Sequence, residues 1–100
     1  MYDAVDLDGV VVIRGTGELS RTELEAIALL AAEERRDGKR VVVDLRRVTH
    51  LHYAGAAMFK NVPGLRAAGA SRYVKDLVLA GGAGGFVELF DDVEDALRAA

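Results

Sequence analysis

Asp44, His50, His52 and Tyr53 lie close together in the chain and are the side chains best suited to do chemistry. A carboxylate and an imidazole are the components of a general acid–base pair. In a parallel sheet, residues that follow a strand stand at its carboxyl end, where ligands bind. His50 and His52 are two apart, so on an extended segment their rings point the same way and present a shared edge to a metal. Further ligands are scarce, because the chain has no cysteine and Asp44 is the only obvious local donor. A partnered nucleophile is also missing. Ser20 and Ser71 are the only serines; Ser20 has the spacing of a helix cap and Ser71 sits in a polar connection. The expectation is therefore a binding surface with no catalytic residue, no metal and no cofactor. A small enzyme using His52 and Asp44 is the reading set against it.

The run Gly81-Gly82-Ala83-Gly84-Gly85 invites a phosphate-cradle reading, since closely approached backbone N–H groups bind anions. It lacks the Gly-x-x-x-x-Gly-Lys-Ser/Thr pattern and falls late in the chain, so it is read as a flexible turn. Arg35, Arg36, Lys39 and Arg40 crowd around one predicted helix end, where cations complement the helix dipole. The formal charge of -3 argues against a nucleic-acid partner.

These residues must be held by a small fold. One hundred residues, 51% of them apolar and 29% charged, match one globular domain, 1–100, able to bury a core without disulfides. No apolar run approaches the ~20 residues of a spanning helix, and Met1-Tyr2-Asp3 opens without a basic, then apolar, leader. The expected location is the cytoplasm, with no membrane span.

Val10 to Ile13 is a β-branched run between Asp8-Gly9 and Gly15-Thr16-Gly17, which predicts a strand; Tyr2 to Leu7 is its hairpin partner across the Asp8-Gly9 turn. Ser20 and Glu23 have capping-box spacing, and Leu24, Ile27, Ala28 and Ala31 follow on one helical stripe up to the Asp37-Gly38 stop. Val41 to Leu45 is so uniformly apolar that it predicts a central strand buried on both faces. Past a loop from Arg46 to Tyr53, a second helix is expected from Ala54, with Met58, Val62 and Leu65 on its stripe and Pro63 dividing it. Asp76 to Ala80 reads as another major strand; Phe86 to Phe90 fits either a short strand or a helical turn; Asp92 to Leu97 starts a final helix. Strands alternating with helices predict a mainly parallel sheet with right-handed crossovers.

Several segments resemble the STAS domain, the family of anti-sigma factor antagonists and of the cytosolic tails of sulfate transporters. Gly17-Glu18-Leu19 is similar to the Gly-x-Leu before the family's first helix, and Val41 to Leu45 with Val48 and Leu51 to its central strand and loop. Gly55 falls at the glycine of its Asp-Ser-Ser/Thr-Gly motif, and Phe90 to Leu97 is similar to its final segment. The resemblance implies an α/β fold with a four- or five-stranded, mainly parallel sheet and flanking helices, acting as a protein-interaction switch. In regulated members a partner kinase phosphorylates the hydroxyl before that glycine, and the phosphate's charge of about -2 expels the docked partner. Here His52, Tyr53 and Ala54 stand in the motif, so the phosphoacceptor position is Ala54 and has no hydroxyl.

The resemblance thus implies an interaction domain of bacterial regulation that binds an anti-sigma factor or kinase-type protein through His50, His52, Tyr53, Ala54, Gly55 and Lys60. Its alternative is an adaptor subunit of an ATP-driven lipid transporter. Thr49 and Tyr53 are the nearby hydroxyls open to modification. The family's last crossover helix looks displaced by Gly81 to Gly85, which would uncover an apolar patch at Phe86 and Leu89 for a partner or for a second copy of the chain, a homodimer.

Overall fold

The computed structural model describes residues 1–99. Its first strands, β1 (Tyr2–Leu7) and β2 (Val10–Leu19), form an antiparallel hairpin. Asp8 and Gly9 turn it with φ of 53° and 87°, the mirror-image turn that matches strand twist and that Asp-Gly accommodates. Helix α1 (Arg21–Arg36) starts at Ser20, whose Oγ accepts the Glu23 N–H while the Glu23 carboxylate accepts the Ser20 N–H. The predicted stripe of Leu24, Ile27, Ala28 and Ala31 is its buried face.

Strand β3 (Arg40–Leu51) follows, with Val41 to Leu45 wholly buried as expected. Then come α2 (Tyr53–Ala56), a 3-10 helix (Ala57–Asn61), β4 (Leu65–Ala68), α3 (Arg72–Ala80), β5 (Val87–Phe90) and α4 (Val93–Arg98). The sheet order is β1-β2-β3-β4-β5, with every pair after the hairpin parallel. Three successive crossovers each step one strand in the same direction. Right-handedness then sends α1, α2 and α3 to a single face of the sheet. The main core lies there, from Ile13 and Val43 to Phe59, Val74 and Val78. Among the described residues, α4 alone covers the other face, burying Ala96 against Val42 and Ala68. Among the described residues no helix is long and apolar enough to cross a membrane.

The fold departs from the sequence reading at several points. Strand β2 does not end at Gly15-Thr16-Gly17; it continues through a register shift between Arg14 and Thr16. Gly15 makes this passage possible, because a Cβ there would lie 2.8 Å from a Val48 methyl. Strand β3 likewise runs on through the segment expected as a loop, so His50 is a strand residue. The second helix stops before Pro63, and Leu65, expected on its stripe, belongs to β4.

The largest correction concerns Asp76 to Ala80, which is the second half of α3 and not a strand. Ser71, expected in a plain connection, is the N-cap: its Oγ accepts the Val74 N–H, and Val74 and Val78 then point inward one turn apart. The last crossover helix is therefore present, and Gly81 to Gly85 follows it instead of replacing it. Leu89 is half-buried against the core, leaving Phe86 exposed without the uncovered sheet face expected around it. The Phe86 to Phe90 alternative resolves as a strand from Val87. Of the four clustered cations, Arg35 and Arg36 occupy the last turn of α1 as the dipole argument requires. Lys39 instead pairs with Asp6 and Glu34, and Arg40 donates to the Leu97 and Ala99 carbonyls.

Ser71→Ala is expected to lower unfolding stability by about 1 kcal/mol, the usual cost of an N-cap. A shifted urea midpoint with unchanged slope reads this out; an unchanged midpoint contradicts the capped helix.

Candidate functional site

Beyond Asp44, strand β3 loses its β4 neighbour, since their pairing covers only Val42 to Asp44. Pairing with β2 continues to Leu51. The far end of β3 therefore projects past the rest of the parallel sheet and delivers His50 and His52 to the first turns of α1, α2 and α3. His50 lies opposite Glu18 in the β2–β3 register. Its Nδ1 is 2.7 Å from the Tyr73 hydroxyl on α3, with the two rings stacked at 5.8 Å. His52 is the N-cap of α2: its Nδ1 accepts the Ala54 N–H at 3.2 Å, and its ring stacks on Tyr53 at 5.2 Å with 12° between planes.

Two imidazole–phenol stacks thus stand side by side. Tyr53 is 61% and Tyr73 53% exposed, so both present broad aromatic area to solvent, with the Tyr73 hydroxyl held by His50. Tyr73 was not among the residues singled out from sequence. Only the turn that begins α3 brings it to His50, and that turn depends on Ser71, the cap missed there.

Two glycines seat this surface from beneath. Gly55 is buried in α2, where a Cβ would meet Leu24 Cδ1 at 2.7 Å and the Arg21 Cα at 3.0 Å. Gly81, the C-cap of α3, approaches the same helix from its other side; a Cβ there would lie 2.6 Å from the Tyr53 carbonyl oxygen. Helix α2 is four residues long and could not persist alone, so contact with α1 and α3 holds it. Ala54 is half-buried beside Tyr53. Lys60 is exposed on the 3-10 helix, with its Nζ over Gly82.

Asp44 takes no part in this surface. His52 lines a shallow cleft of about 370 Å³ with Glu18, Ser20, Glu23 and His50. Asp44 lines a separate depression with Asp3, Arg14 and Arg46. Asp44 is six positions before His50 and eight before His52 along largely extended chain, roughly 20–26 Å at ~3.3 Å per residue. The acid–base pair expected of a small enzyme is not assembled. Asp44 is 5% exposed and is bound by Arg46, which donates Nε and Nη2 to its oxygens together with the Arg46 backbone N–H. Burial pushes the Asp44 carboxyl up, but these hydrogen bonds and the charges of Arg46 and Arg14 outweigh it and hold the group below the usual carboxylate range. Among the described residues no cluster of three or more histidines and carboxylates is placed to hold a metal ion.

No family model matches the sequence, and no curated protein matches it. Solved structures do match. The anti-sigma factor antagonist SpoIIAA in its unphosphorylated form is similar over 97% of this chain and 93% of its own, with TM-score 0.70 and 19% identity. A Thermotoga maritima protein assigned as an anti-sigma factor antagonist covers 97% and 92%, with TM-score 0.75 and 12% identity. The Bacillus cell-fate determinant SpoIIAA in its phosphorylated form covers 97% and 96%, with TM-score 0.66 and 16% identity. The chain has the fold of these antagonists, the α/β STAS fold.

Both glycine contacts make a specific prediction. Alanine favours helical backbone over glycine by about 1 kcal/mol, yet overpacking costs roughly 1–3 kcal/mol. Gly55→Ala and Gly81→Ala are expected to destabilise in chemical denaturation, while Gly85→Ala, with open space around its Cβ, is neutral. Equal stability of all three variants would contradict the packing described.

Asp44 makes a second prediction. A carboxylate lowered in the folded state adds stability that is complete above the ordinary carboxylate range, about pH 4, and is lost as pH falls through the lowered native value. Asp44→Asn should remove part of this acid limb in stability–pH profiles. A profile identical to that of the parent would refute the assignment.

Proposed function

We propose that the chain is a non-catalytic protein-interaction domain of cytoplasmic bacterial regulation, docking through His50, His52, Tyr53, Ala54 and Lys60, with Gly55 seating α2 beneath them. The observation that carries this reading is the exposed pair of His–Tyr stacks. Tyrosine offers large, rigid contact area with a polar tip at small entropic cost, which is why it is enriched among the residues that dominate binding energies. Tyr73 extends the face onto α3.

The likeness to anti-sigma factor antagonists supports a partner of the anti-sigma factor or kinase type. One of those structures is described as phosphorylated and another as unphosphorylated. Ala54, at the position the sequence resemblance aligns with the phosphoacceptor, has no hydroxyl to modify. The proposed domain therefore binds constitutively, held in the equivalent of the unphosphorylated state.

In capture assays with a purified anti-sigma-type kinase from the same genome, Tyr53→Glu and Ala54→Asp are expected to weaken binding roughly tenfold or more, the scale of a central interface residue. Circular dichroism checks that both variants remain folded. Undiminished capture by both removes this face from the interface.

A further inference from the structure

The chain caps its other α-helices with the side chains usual for that task, while the 3-10 helix has no side-chain cap. Ser20 caps α1, Ser71 caps α3 and Asp92 caps α4. Among the described residues, α2 is the one helix capped by an imidazole. Serine stays an acceptor at every physiological pH, whereas a histidine's hydrogen-bonding character changes between about pH 5 and 8. The Ala54 N–H needs the lone pair on His52 Nδ1, which only the neutral ring offers; in the charged ring both nitrogens are donors. A cation there would also oppose the positive end of the helix.

We infer that His52 is a proton-sensitive cap, and that its protonation breaks the hydrogen bond from the Ala54 N–H at the start of α2 and turns Nδ1 away from that amide. The surroundings supply a second place for the charged ring. Glu18 of β2 and Glu23 of α1 line the same cleft, with His50 of β3 beside them. Glu23 is already engaged by the Ser20 N–H and the Met1 amine, and Arg21 at the start of α1 pairs with Glu25. Glu18 is exposed and opposite His50, which makes it the carboxylate most open to an imidazolium. On α2, Tyr53 faces the ring by its stacked phenol.

His50 behaves differently. Its Nδ1 can accept from the Tyr73 hydroxyl when neutral or donate to it when charged, so that contact survives a proton. Acid therefore breaks one of the two imidazole hydrogen bonds and spares the other. The consequence for binding, a docking face weakened in acid, rests on the function proposed above; the cap itself does not.

NMR of the chain alone tests the cap, so its outcome is separate from that of the capture assay. From pH 8 to 5, the Ala54 amide proton is expected to shift upfield in step with the His52 ring titration, and its exchange protection to fall roughly fivefold, as for a lost N-cap. Leu45 in the core serves as the unchanged reference. His52→Asn and His52→Ser keep an acceptor that does not titrate and should abolish the change, while His50→Gln leaves it in place. A constant Ala54 amide through the His52 titration, or a transition that persists in both His52 variants, overturns the proposal.

Discussion

The pairing of β3 with β2 is the constraint on which the rest of the molecule depends. Parallel strands need their hydrogen bonds satisfied on both edges or covered, and β3 has this from Val42 to Asp44, between β2 and β4. Beyond Asp44 it keeps only β2. Two register shifts let the pair continue to Leu19 and Leu51, where the chain is carried directly into the starts of α1 and α2. Without that overhang, His50 and His52 would sit over the middle of the sheet and could not reach Tyr73 or the first turn of α1.

Helices on the two faces are held by different means. On the main face, apolar burial is extensive, and glycine at positions 55 and 81 allows backbone-close packing around α2. On the other face, α4 has six residues and buries little more than Ala96, with Phe90, Val93 and Leu97 partly covered. Its last carbonyls would be left without partners, but Arg66 donates to Ala96 and Arg40 to Leu97 and Ala99. Polar capping thus supplements a small apolar contact. Arg40, which from sequence belongs to a dipole-complementing cluster, works on a different helix.

The same face shows why a suggestive set of residues need not form a site. Asp44 is buried and ionised, features that often mark catalysis. Its oxygens are taken up by Arg46, two residues away, and its cross-strand neighbour Arg14 is engaged by Asp3. The arrangement is a row of alternating charges across three strands, compatible with a structural role. Exposed pairs such as Arg14 with Asp3 contribute little by themselves. Asp44 is kept charged chiefly by its hydrogen bonds from Arg46, with a smaller contribution from the charge of Arg14.

Local signals in the sequence determined the elements whose causes are local. The Asp8-Gly9 turn, the Ser20–Glu23 cap, the stripe of α1 and the doubly buried Val41 to Leu45 all follow from steric and hydrogen-bonding preferences within a few residues. So does the STAS resemblance, borne by segments of the same kind. Tertiary structure decided the stretch from Leu65 to Ala80. Leu65-Arg66-Ala67-Ala68 has weak strand propensity and pairs because β3 and β5 flank it, while the apolar run Leu77-Val78-Leu79 imitates a strand but lies in a helix set by Ser71. The surface at His50, His52 and Tyr53 divides in the same way. That these residues follow the central strand was legible; that the strand itself runs on through His50 to Leu51 was not. Tyr73 as a partner and Gly81 as a support were not, because both contacts join segments more than twenty residues apart, and no periodicity within a segment encodes what will pack against it.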